Sequence, residues 1–326
     1  MLKYYENNIY IMLNGGKNMS KVKVIGIDVG YGQTKAFTDE NQHCVFPSVY
    51  LQTDDEYKKS PAKDSIYINI DGKNYYVGKA AVRKEGLAVF DKQDMFRHKL
   101  FILTAIAKLD CNYSGRIALG LPIGDVKELS NKLTSLKGKY VFKFNNVQCN
   151  VEITDVSVYP QGETVIHELA AFEEDVENQI LGIVDIGQKT VDVAYYNSLE
   201  LVPRRSRTYD EMGCNYIYQD IAVEASEKLG LELKEYQVQD RIDKRNDIND
   251  IADKHFEKFA TLIDSELRRL GWNYKTLDRI ILVGGGANLV AQYLVKMITD
   301  CKVETHQNAV FANACGFFEK AMVGDN

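Results

Sequence analysis

The stretch VIGIDVGYGQTKAF, residues 24–37, decides the fold because the chain repeats its plan once. The second copy, LGIVDIGQKTVDVAYY, covers residues 181–196. In each copy an apolar run containing an aspartate meets a glycine turn, and a second run of β-prone residues follows. Such runs on both sides of a glycine turn predict a β-hairpin. The repeat therefore predicts two halves that share one architecture, which differs from a solenoid of many short repeats.

Strand and helix signals alternate around both hairpins. Before the second copy, the patterns predict a hairpin over residues 66–78, a helix over 93–109 and a strand over 115–124. They then predict two strands and a further strand end within 140–162, followed by a helix over 164–176. After it they predict helices over 216–230 and 251–272, a strand, glycine turn and helix over 277–298, and a last helix over 309–322. We therefore expect an α/β protein of two duplicated domains with a cleft between them.

The expected domain boundaries follow from the repeat. Domain I is expected over residues 19–163 and domain II over residues 164–307, with the C-terminal helix within 308–326 packing back on domain I. Residues 1–18 lack the basic start and apolar stretch of a signal peptide. Gly15-Gly16 can be encoded by a ribosome-binding sequence and Met19 follows closely, so Met19 is a candidate start. A disordered or helical extension is the alternative for residues 1–18.

Composition argues against several classes of protein. The net charge is −6 and no basic tract dominates, so we expect no direct binding to a nucleic acid, which needs clustered Lys and Arg. The six cysteines lie far apart and form no CxxC or Cys/His metal spacing, which is typical of reduced thiols in a cytoplasmic protein. No apolar run approaches the roughly 18 residues of a membrane span.

The two glycine turns are candidate phosphate sites. A glycine turn between two strands lets backbone N–H groups point at one centre, where they can hold phosphate oxygens. Two such turns that face each other would clamp a polyphosphate from both sides. The candidate phosphate-binding residues are Gly30, Tyr31, Gly32, Gln33, Thr34 and Lys35 in the first copy, and Gly187, Gln188, Lys189, Thr190 and Asp192 in the second. For Asp192 two roles stay open, ordering the phosphate loop and supporting the turn.

Each repeated strand carries an aspartate near its end, Asp28 in the first and Asp185 in the second. Mg²⁺ prefers oxygen ligands and keeps several waters when it binds beside phosphates. Asp28 and Asp185 are therefore the candidate metal-binding residues, holding a hydrated Mg²⁺ against the β- and γ-phosphates, and both count among the catalytic candidates. A single Asp-x-Gly turn is common, so the prediction depends on the two copies together.

Three consecutive glycines, Gly284, Gly285 and Gly286, separate a predicted strand from a helix that starts near Asn288. Glycines there permit close approach of a flat ligand, and a helix N-terminus favours anionic atoms. These four residues are the candidate nucleoside contacts, although three glycines do not choose between ATP and GTP. The segment over residues 211–224 is a candidate for ribose contacts, without a choice of individual residues.

Gln161 lies in the segment VYPQGE, between a strand and a predicted helix. A glutamine is no strong general base, but it can orient a water for in-line attack on a γ-phosphate. Gln161 is therefore the third catalytic candidate, with an exposed loop residue as the alternative interpretation. Glu163 is the rival catalytic residue, whereas His167 on the following helix is expected to pack or to form a hydrogen bond.

These elements in this order resemble the superfamily of actin, chaperone and sugar kinase ATPases. The two repeated stretches look like its phosphate motifs, ALGLPIGD (residues 118–125) and NAVFANACGFFEKA (residues 308–321) look like its connecting motifs, and RIILVGGGANLV (residues 279–290) looks like its adenosine motif. Within the superfamily the chain is most similar to prokaryotic actin-like proteins of the ParM/StbA plasmid-segregation type and to short archaeal relatives. Many ParM sequences have Glu where this chain has Gln161, so the resemblance does not imply a hydrolysis rate.

The resemblance implies the actin-like, ribonuclease H-like duplicated fold, with ATP (or GTP) and Mg²⁺ bound in the cleft between the domains. It implies an ATPase that polymerises into a filament and hydrolyses its nucleotide, driving plasmid DNA segregation. The implied partners are other copies of the chain and a DNA-binding adaptor of the ParR type bound to a plasmid centromere, with no membrane. The alternatives are a small-molecule kinase and a non-polymerising ATP switch of the same superfamily.

Overall fold

The described part of the chain starts where the first repeated strand begins. The computed structural model describes residues 23–323, except 39–41, 58–63, 89–92, 123–124, 162–164, 167–168, 171–172, 174 and 231. Residues 1–18 and the candidate start Met19 lie outside this set, as do Glu163, His167 and parts of the predicted helix over residues 164–176.

The elements before the second repeated stretch build a large sheet and its covering helices. Among the described residues the strands are β1 (Val24–Val29), β2 (Gln33–Thr38), β3 (His43–Pro47), β4 (Val49–Thr53), β5 (Ile66–Ile70), β6 (Lys73–Val77), β7 (Leu87–Ala88), β8 (Ser114–Leu121), β9 (Gly138–Phe144) and β10 (Val147–Pro160). The helices are α1 (Lys79–Val82), α2 (Met95–Leu109) and α3 (Val126–Thr134).

The elements from the second repeated stretch onward build a smaller sheet with more helices. The strands are β11 (Ile180–Ile186), β12 (Val191–Asn197), β13 (Glu200–Leu201), β14 (Arg207–Tyr209), β15 (Arg279–Val283) and β16 (Lys302–Thr305). The helices are α4 (Cys214–Leu229), α5 (Glu235–Arg245), α6 (Asn249–Arg269), α7 (Ala287–Met297) and α8 (Ala312–Val323).

The strand order of the two sheets confirms the repeat. The first sheet runs β3-β2-β1-β8-β10-β9-β5-β6-β4-β7, and the second runs β13-β12-β11-β15-β16, with β14 also paired to β12. In both, the aspartate-bearing strand pairs antiparallel with the next strand and parallel with a later one, as β1 does with β2 and β8, and β11 with β12 and β15. The two sheets therefore share a core of the same topology, and the first sheet extends it with strands of its own.

Burial explains why these two strands are central. β1 is buried along its whole length and β11 along all but its first residue, as expected for strands covered by other layers on both faces. In the first half, Ile27 of β1 and Phe101 of α2 belong to one apolar core. In the second half, Val184 of β11 and Phe259 of α6 belong to another. Each sheet thus has its own hydrophobic core, and the turns that follow β1 and β11 are held by rigid strands.

The C-terminal helix α8 packs on the first sheet, although it follows the second sheet in the chain. A Cβ atom added to Gly26 of β1 would lie 2.0 Å from the carbonyl oxygen of Ala314, and one added to Gly120 of β8 would lie 1.8 Å from the Phe317 ring. Only glycine allows so close an approach of the helix to the strands. The exact domain boundaries stay a prediction.

Most predicted elements agree with the structure to within a few residues, as α2 and α6 do for the helices predicted over 93–109 and 251–272. The segment over 140–162 differs, because β10 is one strand of 14 residues rather than a strand and a separate strand end. Its first half pairs with β9 and its second half with β8, with an irregularity between Ile153 and Asp155. Among the described helices, none is long and apolar enough to cross a membrane.

Candidate functional site

The two glycine turns are built alike. In the first turn (residues 30–33) the Gly30 N–H donates to the Gln33 carbonyl over 3.1 Å. In the second turn (residues 187–190) the Gly187 N–H donates to the Thr190 carbonyl over 2.9 Å. Each turn therefore closes its hairpin with the same backbone hydrogen bond, two residues after the aspartate.

The first turn and the second turn contact each other. A Cβ atom added to Gly32 would lie 1.3 Å from Oε1 of Gln188, so the glycine leaves room for that side chain. Across the same gap, the Lys189 ammonium lies 5.0 Å from the centre of the Tyr31 ring, within the range of a cation–π contact. The structure thus brings the two predicted turns face to face, while their binding of phosphate stays a prediction.

Asp28 gathers two of the other predicted residues. Its side chain is 3% exposed, and its Oδ2 accepts a hydrogen bond from the Lys35 ammonium over 3.1 Å. Its Oδ1 accepts from Nε2 of Gln161 over 3.2 Å, across 133 residues of sequence. Burial acts to lower the pKa of Lys35, but the attraction of Asp28 and Asp185 outweighs it and raises that pKa. Asp28, Lys35 and Gln161 therefore form one connected polar group beside the first turn.

Asp185 has a different environment at the matching position. Its side chain is 7% exposed, and its Oδ2 accepts a hydrogen bond from Nδ2 of Asn313 over 2.7 Å. Burial raises the pKa of Asp185 to about 6, and the neighbouring Asp192 carboxylate adds to this rise. The hydrogen bond from Asn313 and the attraction of Lys35 act in the opposite direction. Asp185 is thus a buried acid whose charged form is poorly stabilised by the protein alone.

The contacts of Asp192 favour support of the turn. Its two carboxylate oxygens accept hydrogen bonds from the hydroxyls of Thr190, over 3.0 Å, and Thr208. These bonds tie the second turn to β14, which holds Thr208. On the first hairpin, the hydroxyl of Thr34 is fully buried and shares a hydrogen bond with Ser48 over 3.0 Å. The Thr34 side chain therefore holds the sheet together, and only its backbone could serve a ligand.

The glycine triplet lies against the end of β11, directly before the second turn. Gly284 has a φ of +87°, which favours glycine, and a Cβ atom there would lie 2.3 Å from Oδ1 of Asp185. The Gly286 N–H donates to the carbonyl of Ile186 over 2.9 Å, whereas Gly285 faces open space. Asn288 is exposed in the first turn of α7. The triplet therefore brings the start of α7 next to Asp185.

The start of α4 braces the second turn from outside. The backbone N–H groups of Gly213, Cys214 and Asn215 donate to the carbonyls of Lys189, Gly187 and Gln188 over 2.9–3.1 Å. Helix starts carry unpaired N–H groups, and the turn uses these to fix its own carbonyl oxygens. The start of the segment over residues 211–224 thus supports the second turn, which the sequence did not reveal, and its expected contact with a ribose stays a prediction.

Arg97 is the main site residue that the sequence analysis missed. It lies in the first turn of α2, is fully buried, and donates from Nη2 to the Gly30 carbonyl over 2.9 Å. Asn313 of α8 was missed as well. The sequence held one signal for Arg97, which is a charged residue among apolar residues of the predicted helix. Buried charges occur in proteins mainly where they are paired or functional, so this position could have been predicted to belong to the site.

The two buried aspartates suit a hydrated divalent cation. Within the described ranges, no three His, Cys, Asp or Glu side chains converge as a ready-made metal cage. Mg²⁺, however, commonly uses one or two carboxylates and completes its shell with waters and ligand phosphates. The two buried carboxylates of Asp28 and Asp185 therefore fit a hydrated Mg²⁺ that is shared with a bound polyphosphate.

Comparison with known families fits this geometry. Residues 26–163 match the family of actin-like proteins, N-terminal domain, and residues 183–296 match the family of archaeal actin homologues, MreB-like, C-terminal. Together the two matches span more than half of the chain. The chain belongs to the actin-like proteins. The resemblance and the fold class inferred from the sequence are confirmed.

Several relatives of this actin-like protein have been described. An archaeal actin homolog of Thermoplasma volcanium is 23% identical over 91% of this chain and 98% of its own. A crystal structure of an archaeal actin homolog in complex with ADP superposes with a TM-score of 0.78, 19% identity, and coverage of 93% of this chain and 100% of that one. A 15-stranded ParM filament from Clostridium botulinum gives a TM-score of 0.75, 22% identity, and coverage of 91% and 98%. At these identities the two structures establish the fold.

Proposed function

We propose that this actin-like protein binds ATP (or GTP) with Mg²⁺ between its two turns, polymerises, and hydrolyses the nucleotide. The observation that carries the proposal is the pair of facing glycine turns, each following a strand with a buried aspartate. Facing backbone donors suit a polyphosphate, since both ends of the chain of phosphates can be held at once. The related ADP complex and the related ParM filament support binding and assembly in turn.

The residues of this chain take separate roles in the proposed reaction. Backbone N–H groups of the turns other than those of Gly30 and Gly187, which close the hairpins, bind phosphate oxygens. Lys35 adds a buried positive charge toward them. Asp28 and Asp185 hold the hydrated Mg²⁺, which supplies positive charge to the transferring phosphoryl group when bound. The glycine triplet lies against the end of β11 and Asn288 lies in the first turn of α7, so both can receive the nucleoside.

Gln161 is the proposed water-orienting residue. Its amide is fixed by Asp28 at the end of β10, where its backbone N–H also donates to the carbonyl of Leu121 over 2.7 Å. An amide held in this way can accept from and donate to a water without exchanging a proton with it. The water would then be aligned for in-line attack on the γ-phosphate.

The biological role that we propose is segregation of plasmid DNA by a filament. A contact between unlike surfaces of successive copies does not close and generates a helical filament. A DNA-binding adaptor of the ParR type would connect the filament to a plasmid centromere in the cytoplasm. The acidic net charge of −6 supports a model in which the adaptor contacts the DNA and this chain does not.

The test measures light scattering at 90° and phosphate release together, after addition of ATP·Mg²⁺ at increasing protein concentration. We expect scattering to rise above a threshold concentration and to fall as phosphate appears. Asp185→Ala should weaken Mg²⁺-dependent assembly, and Asp300→Ala, which changes an exposed carboxylate, serves as the control. Flat scattering at all concentrations with ATP·Mg²⁺ and with GTP·Mg²⁺ would overturn polymerisation, and phosphate transfer to an added small molecule would identify a kinase.

A further inference from the structure

Arg97 is a buried cation that the proposed function does not yet use. Its backbone N–H is capped by Oδ1 of Asp94 over 3.1 Å, and its side chain is fully buried. Among the described residues, no carboxylate forms an ion pair with its guanidinium, and Nε and Nη1 have no hydrogen-bond partner. Its one side-chain hydrogen bond is the one from Nη2 to the Gly30 carbonyl, over 2.9 Å.

Such a cation is unfavourable for the folded protein by itself. A buried charge without an ionic partner loses its hydration and gains little in return. Two aromatic rings compensate in part, because the guanidinium carbon lies 5.8 Å from the centre of the Tyr31 ring and 5.5 Å from that of Phe101. Burial lowers the pKa of Arg97, which reflects the same cost. A stability role alone therefore explains this residue poorly.

The position of Arg97 suggests what the residue does for the first turn. The peptide bond is planar and trans, so the Gly30 carbonyl and the Tyr31 N–H point in opposite directions. Because Arg97 binds that carbonyl, the Tyr31 N–H is directed to the side of the turn away from α2. Glycine gives this peptide plane an unusual freedom to rotate, and the arginine removes that freedom.

We propose that Arg97 is a positioning residue for the phosphate of a bound nucleotide, holding the first turn in its binding orientation and supplying a buried positive charge that the anion offsets. This inference rests on the proposed nucleotide binding. It predicts that Arg97 disfavours the free protein and favours the complex, whereas a structural arginine would stabilise both equally.

The test compares the full chain with Arg97→Met, Arg97→Lys and Arg116→Met, using thermal melting and calorimetric titration with ADP·Mg²⁺. Arg116 also donates to a backbone carbonyl, that of Ala321, over 3.3 Å, but lies away from the turns. For Arg97→Met we expect a melting temperature of the free protein equal to or above that of the wild type. We expect its ADP affinity to fall about tenfold or more, the loss typical of a charge-assisted hydrogen bond. Arg97→Lys should recover part of that affinity, and Arg116→Met should keep all of it.

The outcomes separate this inference from the function on which it rests. Failure of the wild type to bind either ADP·Mg²⁺ or GDP·Mg²⁺ would overturn the proposed function and the inference together. Binding by the wild type and Arg97→Met with equal affinity would overturn the inference alone. A third outcome would also overturn the inference. In it, Arg97→Met does not fold, whereas Arg97→Lys folds, binds ADP·Mg²⁺ like the wild type and shows the same rise in melting temperature on binding. Arg97 would then be structural.

Discussion

The two hairpins share a backbone but carry opposite charges at one matching position. Across the first hairpin Asp28 is paired in register with Lys35, and across the second Asp185 is paired with Asp192. Asp28 forms a buried ion pair over 3.1 Å, whereas burial raises the pKa of Asp185 to about 6 with Asp192 adding to the rise. The same backbone arrangement thus carries an ion pair in the first hairpin and two adjacent carboxylates in the second.

In the proposed function, this difference assigns a separate task to each copy of the repeat. The first hairpin balances its own aspartate with Lys35, so the pair carries no net charge that would repel a phosphate. The second hairpin concentrates carboxylates whose repulsion a cation would relieve, which suits Mg²⁺. In the proposed function, the two copies of the same turn therefore complement each other, and the comparison can be tested residue by residue.

Asp28→Asn should have the largest effect on the comparison. It leaves the ammonium of Lys35, with a side chain only 12% exposed, buried without its ionic partner. We expect the free energy of unfolding to fall by about 3–5 kcal/mol, measured by urea denaturation at pH 7 in EDTA. The double variant Asp28→Asn with Lys35→Met should recover much of this loss. A loss below about 1 kcal/mol for the single variant would show that the pair is not a structural unit.

Asp185→Asn should have the opposite sign. The pKa of this acid rises from an ordinary 3.8 to about 6 on folding, so the folded state holds the proton more tightly than the unfolded state. The contribution of Asp185 to stability should therefore fall as the pH rises from about 4 to about 6 and then stay level. At pH 8 in EDTA, Asp185→Asn should be more stable than the wild type by as much as about 3 kcal/mol, with no difference near pH 4. A destabilised variant at pH 8 would contradict this assignment.

Whether a contact of the candidate site could be predicted depends on how far apart its two residues lie in the sequence. The pairing of Asp28 with Lys35 joins residues seven apart on one hairpin, and local pattern was sufficient to place both. The hydrogen bond from Arg97 to Gly30 spans 67 residues and that from Asn313 to Asp185 spans 128. Such contacts depend on how α2 and α8 pack on the sheets, which hydrophobic periodicity alone does not specify.

The contacts of Asp192 show the same limit of sequence-based prediction. Its position opposite Asp185 follows from the register of the predicted hairpin. Its bond to Thr208 depends on β14, which crosses to β12 after an irregular segment that no strand pattern marked. The chemistry of a turn is therefore readable from its own residues, whereas its supporting contacts come from elements that arrive later in the chain.

Gln161→Ala tests whether the two amide donors of the site have different roles. Gln161 binds Asp28 and Asn313 binds Asp185, so each aspartate has one amide partner, but only Gln161 is proposed to orient water. We expect phosphate release to slow by about tenfold (about 1.4 kcal/mol) while assembly, followed by light scattering, persists. Gln148→Ala, at an exposed position on β10, the strand that precedes Gln161, is the control. Equal rates of phosphate release in the wild type and Gln161→Ala would remove Gln161 from the mechanism.

Asp192→Asn should have the smallest effect, and it isolates the charge that distinguishes the second hairpin. An asparagine keeps an oxygen for Thr190 or Thr208 but removes the negative charge opposite Asp185. Carbon-13 NMR of the carboxyl groups should show the pKa of Asp185 falling from about 6 only part of the way toward its ordinary value, because burial is the larger cause and persists. An unchanged pKa would assign the rise to burial alone. The two hairpins would then differ by the ion pair of the first, and not by repulsion within the second.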